Sequence, residues 1–336
     1  MKIELRDMPE PETPVDGVKI AVKASAVCGS DLRRWREGPT PGAAPVIPGH
    51  ETAGVVVEVG RACSDFSVGD RLAIGPDVHC GVCWYCEHGM FNLCDNLKLY
   101  GITPGLHGGL AERMVLPREL LTRGICRRIP DGLSDEAASL SEPCSSVIAC
   151  HQVNGTTLGE LVVVMGAGPI GCLHTVIAQA HGARVIVSEP NPVRRQIAEQ
   201  FGPSAVVDPS TDDLKGVVQR HQSVGADKVI CANPVAATQQ QGVEIVRKGG
   251  KVILFGGLPK SAPMTTLDAN RIHYFQIEVI GSFSYHPTHH ALALEFLERG
   301  VIPADKIINA VFPLENVQEA FETAGEGRAL KVIVKP

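Results

Sequence analysis

Four cysteines fall in one short loop, Cys80, Cys83, Cys86 and Cys94, in the run HCGVCWYCEHGMFNLC with C-x2-C-x2-C-x7-C spacing. Four thiolates this close in sequence can close a tetrahedron around one zinc ion and leave no position open for a substrate. Such a site is structural, so catalysis must be sought elsewhere in the chain. A second set is scattered: Cys28, His50, Glu51 and Glu142. Taken singly, each has an ordinary reading. Cys28 is a packed thiol at the end of an apolar strand. His50-Glu51 is a polar turn after Pro48-Gly49, and Glu142 is an acid at a helix start before Pro143. Taken together, a soft thiolate, an imidazole and carboxylates suit a zinc with an exchangeable position. A zinc of that kind is a Lewis acid that lowers the pKa of an alcohol and favours departure of hydride from its carbon.

The third feature is Gly166-Ala167-Gly168-Pro169-Ile170-Gly171, a G-x-G-x-x-G run directly after LVVVM and opening a helical pattern. In that context it reads as a dinucleotide site. The first glycine allows the turn, the second lets the backbone approach a pyrophosphate, and the third lets helix and strand pack closely. Glu189 ends the next strand, where a carboxylate accepts from ribose hydroxyls and repels a 2′-phosphate. NAD is therefore expected over NADP, although Ser188, Arg194 and Arg195 offer groups that can hold a phosphate.

These groups need two kinds of scaffold. Residues 1 to about 145 carry VKIAVKASAVC, TAGVVVEVG and DRLAIGP, short strands punctuated by Gly and Pro. That pattern predicts a β-rich domain, a small barrel with the cysteine loop as an excursion. From about residue 146 strands alternate with helices: LVVVM, PIGCLHTVIAQAHG, RVIVSEP, NPVRRQIAEQFG, AVVD, a polar helical stretch, DKVICA, AATQQQGVEIVRKGG, KVILFGG and IEVIGSF. Alternation of this length predicts a doubly wound parallel sheet, an α/β fold. The C-terminal part, with helix HPTHHALALEFLERG, the run INAVFPLENVQEAFE and strand ALKVIVKP, is placed back on the first domain.

The whole chain limits what these sites can belong to. Its 336 residues are enough for two domains, and its 44% apolar content is that of a globular protein. No apolar run approaches the ~18–20 residues of a membrane span. The net charge is −6 with both signs interspersed, and no basic stripe points to nucleic acid. The N-terminus, MKIELRDMPEPETP, is unlike a secretory signal, and the eleven cysteines are expected to be reduced, in the cytoplasm.

The motifs Cys28-Gly29-Ser30-Asp31, Gly49-His50-Glu51, the four-cysteine lobe, Gly108-Gly109 with Ala111-Glu112, Glu142-Pro143 and the glycine fingerprint together carry a family resemblance over essentially the whole chain. The sequence resembles the zinc-dependent medium-chain dehydrogenases, in the polyol (sorbitol) and threonine dehydrogenase branch. The resemblance implies a GroES-like catalytic domain, 1–145 with 285–336, around a Rossmann domain, 146–284. It implies catalytic zinc near Cys28, His50, Glu51 and Glu142, with one glutamate binding directly and the other through water or after movement. A glutamate at position 142, where the primary-alcohol branch has cysteine, points to the polyol-like branch; Cys144 fits that position less well. Ser30 matches the hydroxyl that contacts the alcohol and starts proton release. Gly166, Gly168, Pro169, Ile170, Gly171, Glu189, Arg194, Leu258 and Phe283 are the implied cofactor contacts.

The chain also departs from the family. Arg33 stands where a proton-relaying histidine is usual, and arginine is no base near neutral pH. Ser284 replaces an arginine of sorbitol dehydrogenases, after matching Gly281 and Phe283, and the opening strand is absent or reduced. The implied activity is oxidation of a secondary alcohol of a polyol, sugar derivative or hydroxy-amino acid to a ketone with NAD. Its rivals are a 2,3-butanediol/acetoin-type diol dehydrogenase and a non-catalytic NAD/zinc-binding relic of the fold. The implied assembly is a homodimer or homotetramer formed through the edge near GGLPKSAPMTT, and the implied metal content is two zincs per chain. His79, His88 and His107 read as surface or loop histidines. His286, His289 and His290 read as a solvated helix start. Trp35 reads equally as pocket wall or core, and Trp84 is the other tryptophan.

Overall fold

The computed structural model describes residues 3–38 and 42–336; Met1 and Lys2, where any remnant of the opening strand would fall, lie outside the described residues. Residues 3–14 carry no strand. The chain forms two compact units, residues 1–146 with 284–336, and residues 147–283.

The first unit is built around the strand Val18–Ala26, buried along nearly its whole length. It is buried because it pairs antiparallel with three partners: Glu51–Val59, Arg113–Leu116 and Lys331–Lys335. The sheet has seven strands and continues through Arg71–Gly75 to Ile125–Arg128 on one side and to Ile308–Pro313 on the other. Val18, Ile20 and Val22 pack with Val56, Leu72, Ile74 and Leu116. A second cluster holds Val27, Leu110, Phe321, Val332 and Val334. Trp35 belongs to it, edge-on to Phe321 at 6.0 Å, which decides between its two readings in favour of core. Ala26 pairs with Glu51 on one side and Ile333 on the other, so a strand from the end of the chain lies across Val18–Ala26 from the Glu51 strand.

One expectation fails here. His286 caps the helix Pro287–Glu298 and is half-buried, but His290 is fully buried, with Nε2 2.9 Å from the Ser141 hydroxyl. The triplet is therefore no solvated helix start. His290 lies on the stripe of Ala293, Leu294 and Leu297, the face that this helix buries.

The second unit is a six-stranded parallel sheet in the order Ala205–Val207, Arg184–Ser188, Leu161–Met165, Ala226–Cys231, Val246–Leu254, Glu278–Gly281. Numbered by sequence, that order is the doubly wound 3-2-1-4-5-6, whose direction reverses after the first strand. Leu161–Met165 is buried at every position because apolar clusters cover both faces. The run VRKGG is strand, not helix as its neighbours suggest: the helix Ala236–Ile245 stops at Ile245 and the strand starts at Val246. Gly249 and Gly250 disfavour helix. A register shift between Ala226↔Val246 and Lys228↔Lys251 absorbs the extra residues. Among the described residues no helix is long and apolar enough to cross a membrane.

Candidate active site

The two cysteine-bearing sets both converge, in different ways. Cys80, Cys83, Cys86 and Cys94 place their sulfurs within 4.8 Å of one another. Cys83 and Cys86 sulfurs are 3.5 Å apart, and Cys80 and Cys86 are 4.0 Å apart. Four sulfurs at ~2.3 Å from a tetrahedral zinc stand about 3.8 Å apart, so this donor set fits the ion. Backbone N–H groups of Cys80 and Asn96 donate to the Cys94 sulfur. The amide of Val82 and neighbouring donors hold the Cys80 thiol down at about 6, whereas burial pushes Cys86 up to about 12.

Cys28, His50 and Glu51 also bring one ligand atom each within 4.8 Å. Their convergence comes from three local devices. Cys28 sits just past the first strand as the cap of the helix Gly29–Glu37; its backbone N–H donates to Asp31 at 3.0 Å. Gly49 has φ +96, and a Cβ there would lie 2.6 Å from both the Leu110 nitrogen and the Ser25 hydroxyl, so only glycine allows the chain to turn into His50. Glu51 opens its strand with no exposed surface.

Second partners fix each ligand. Asp31, 5% exposed, stands 3.4 Å from His50 Nδ1, which leaves Nε2 facing the other donors and 3.3 Å from the Ser30 hydroxyl. Lys331 Nζ lies 2.7 Å from Glu51 Oε1 and 2.5 Å from Oε2, in a pair with almost no exposure. Burial alone would lower the His50 pKa, but the charges of Asp31 and Cys28 outweigh it and carry it well above the usual imidazole value. A buried imidazole drawn towards its cation between a thiol and carboxylates shows a pocket electrostatically suited to a metal ion.

Glu142 stands in the first turn of the helix Ser141–Val153, outside that three-residue cluster. Burial, helped by the charges of Glu51 and Asp77 and opposed by those of His50 and Lys331, raises its carboxyl to about 8. Cys144 is fully buried and does not join the cluster. Arg33 is exposed. His79 stacks on Phe91 at 4.1 Å, His88 on Trp84 at 4.1 Å, and His107 accepts from the Ile47 amide. Sequence reasoning gave no role to Asp31, Lys331, Asp77 or Tyr285. The only signal for Asp31 was its place three residues after Cys28, and for Lys331 a lysine opening an apolar strand.

Residues 15–131 match the alcohol dehydrogenase GroES-like domain, and residues 169–299 match the zinc-binding dehydrogenases. A sorbitol dehydrogenase of Halalkalibacterium halodurans is 32% identical over 99% of this chain and 95% of its own length. A D-arabitol-phosphate dehydrogenase of Enterococcus avium is 33% identical over 98% and 92%. The chain belongs to the zinc-dependent medium-chain alcohol dehydrogenases. The dehydrogenase fold is thus a GroES-like domain plus a Rossmann-type sheet. A zinc-binding dehydrogenase of Sinorhizobium meliloti, solved bound to NADP, superposes with a TM-score of 0.88 at 31% identity, over 98% of this chain and 95% of its own.

In this dehydrogenase the glycine loop follows the central strand of the second unit, at the reversal of strand order where such sheets bind ligands. A Cβ on Gly171 would lie 1.9 Å from the Gly166 carbonyl oxygen, so close packing forces glycine there. A Cβ on Gly168 meets nothing, which leaves open the approach that a pyrophosphate needs. Pro169 and Ile170 open the helix Pro169–Ala180. Glu189 is 4% exposed and accepts from the amides of Ala167, at 2.7 Å, and Asn191, at 2.9 Å. Arg195 is committed to Asp208 at 2.9 Å and to the carbonyls of Glu189 and Pro190, and Ser188 is buried. Arg194 is half-buried and has no ion pair among the described residues. Leu258 is half-buried and Phe283 is 60% exposed.

Proposed function

We propose that this alcohol dehydrogenase oxidises a secondary alcohol of a polyol or sugar derivative to a ketone, with NAD as hydride acceptor and two zincs per chain. The observation that carries the reading is the convergence of Cys28, His50 and Glu51 into a buried set of three donors, one fewer than closes a tetrahedron. Zinc held there supplies Lewis acidity towards an alcohol. Asp31 and Lys331 keep His50 and Glu51 oriented, so neither reorganises during turnover. Ser30, in contact with His50, is the first group to take up and pass on the alcohol proton. Glu142, a buried carboxylate with no ion pair among the described residues, stands as the mobile or water-linked partner. The second zinc belongs to Cys80, Cys83, Cys86 and Cys94. The catalytic domain is assigned to 1–145 with 285–336, and the cofactor domain to 146–284.

NAD is favoured by the buried Glu189 at the ribose end of the loop and by the commitment of Arg195 elsewhere; Arg194 is the cation left for a 2′-phosphate. Gly166, Gly168, Pro169, Ile170 and Gly171 receive the pyrophosphate, with Leu258 and Phe283 along the cofactor. Eleven cysteines without a disulfide agree with a reducing, cytoplasmic setting. The edge strand Glu278–Gly281 supports a homodimer or homotetramer. The test is NADH formation with sorbitol, xylitol, threonine and 2,3-butanediol in the presence of zinc. Turnover of the sugar alcohols is expected. Turnover only of the butanediol selects the diol reading, and turnover of none rejects both in favour of a non-catalytic relic.

A further inference from the structure

Asp77 is a buried carboxylate for which the site described above has no use. It opens the two-residue strand Asp77–Val78 and is 8% exposed. Among the described residues it has no ion pair, and the Ser284 hydroxyl donates to it. An ionised carboxylate can accept at about four lone-pair positions, so one donor leaves most of its capacity unused. Ser284 holds φ +52, a left-handed conformation that a side-chain-bearing residue keeps only where its surroundings impose it. That backbone aims its hydroxyl at Asp77. The adjacent Tyr285 is 2% exposed, and its hydroxyl faces the Glu142 carboxyl. Asp77 and Tyr285 line one cavity of about 10 Å3, room for a single oxygen atom. Thr52 pairs with Ile74, which sets Gly75 across from Glu51, and the Tyr285 hydroxyl stands over Gly75, 2.4 Å from where a Cβ would lie, so this wall stands beside the Cys28–His50–Glu51 centre.

We propose that Asp77, aimed by Ser284, binds a substrate hydroxyl other than the one being oxidised, so that the dehydrogenase favours alcohols with several hydroxyls over monofunctional secondary alcohols. The inference rests on the dehydrogenase reading above and adds the group that selects the substrate. A carboxylate with open lone pairs matches the donor character of a second carbinol. A simple alkyl chain in the same place leaves the remaining Asp77 lone pairs without a donor, and sites built for a hydroxyl reject the analogue that lacks it.

The experiment compares kcat/KM for xylitol and for 2-butanol in the wild type, Asp77→Asn and Ser284→Gly. Glycine is at ease at a positive φ, so Ser284→Gly removes the hydroxyl without straining the fold. The xylitol to 2-butanol ratio is expected to fall about tenfold in Asp77→Asn, as one hydrogen bond to a charged group is lost, through KM more than kcat. In Ser284→Gly it is expected to fall about threefold. An unchanged ratio in Asp77→Asn overturns the proposal, as do equal losses on both alcohols, which mark a structural role. Should Asp77→Asn fail to fold, an unchanged ratio in Ser284→Gly overturns it. Wild-type turnover of 2-butanol as efficient as that of xylitol removes this proposal alone. Wild-type turnover of no alcohol removes the dehydrogenase reading as well.

Discussion

Cys80, Cys83, Cys86 and Cys94 reach one point from a single loop, and backbone amides of that same loop hold their sulfurs. Cys28, His50 and Glu51 reach theirs from a helix cap and a strand start, backed by Asp31 and by Lys331 near the far end of the chain. The first set needs little beyond its own turns. The second exists only after a seven-stranded sheet has closed around Val18–Ala26 and brought Lys331–Lys335 beside Glu51–Val59 through their common neighbour. A closed local donor set suits a metal that staples, and an incomplete, remotely supported one suits a metal that must exchange ligands. The comparison teaches that damage to the two should be felt differently.

The sharpest way to break it is to remove one thiolate from each. Cys28→Ser is expected to lower kcat/KM by about a thousandfold or more, since Lewis-acid assistance is worth several kcal/mol. Melting should stay near that of the wild type, and zinc should fall from two to one per chain by elemental analysis. Cys83→Ala should also lose one zinc, yet lower the melting temperature by about 5–10 °C while the surviving protein turns over normally. Full activity in Cys28→Ser, or a collapse of activity without loss of stability in Cys83→Ala, would exchange the two roles.

The next step separates ligand from support. Lys331 and Glu51 form an ion pair with side-chain exposures of 3% and 0%. Removing one partner of such a pair leaves an uncompensated buried charge and costs about 3–5 kcal/mol. Lys331→Met is therefore expected to lower the free energy of unfolding in urea by that order, although residue 331 is remote in sequence from every candidate ligand. A loss under about 1 kcal/mol would show that Glu51 does not depend on it, and the contrast between local and remote support would weaken.

What could be read from the sequence follows the same division. The cysteine lobe and the glycine loop were legible because each is a short run whose spacing is its geometry. The ligand candidates Cys28, His50, Glu51 and Glu142 were visible as residue types, but the structure draws only the first three within ligand distance of one another. The remote support was not visible, because Lys331 reaches Glu51 through sheet pairing that no window of sequence contains. The strand start at Val246 was missed for a related reason: VRKGG has helical company on one side and finds its partner only through a register shift in the sheet. His290 was misread because a histidine triplet looks solvated until the helix face it lies on is known.

The smallest expected effect sets the two units, rather than the two metal sets, against each other in acid. The first unit holds one buried histidine of lowered pKa, His290, pushed down to about 3 by burial and by Arg127. The second holds two in contact: His151, lowered to about 3 by burial and by His181, and His174, lowered well below the usual imidazole value by burial and by His151. Thr156 and His174 flank the His151 ring at 2.9 and 3.1 Å. In the unfolded chain these imidazoles take up protons near pH 6.5, and in the folded chain they stay neutral until much lower pH. At these three sites the unfolded state therefore binds more protons between about pH 6.5 and 3, so their share of stability rises with pH across that window, against the opposite slope of Glu142 and Asp77, whose carboxyls are raised to about 8 and about 6. From pH 6.5 down to 5 each histidine is expected to withdraw about 1–2 kcal/mol. Urea unfolding measured across this range should show the histidine share of that slope, reduced by one histidine's part in His290→Gln and again in His151→Gln, with His174 still contributing in the second unit. A slope unaltered in both variants would assign the acid limit to carboxylates and remove the distinction between the units.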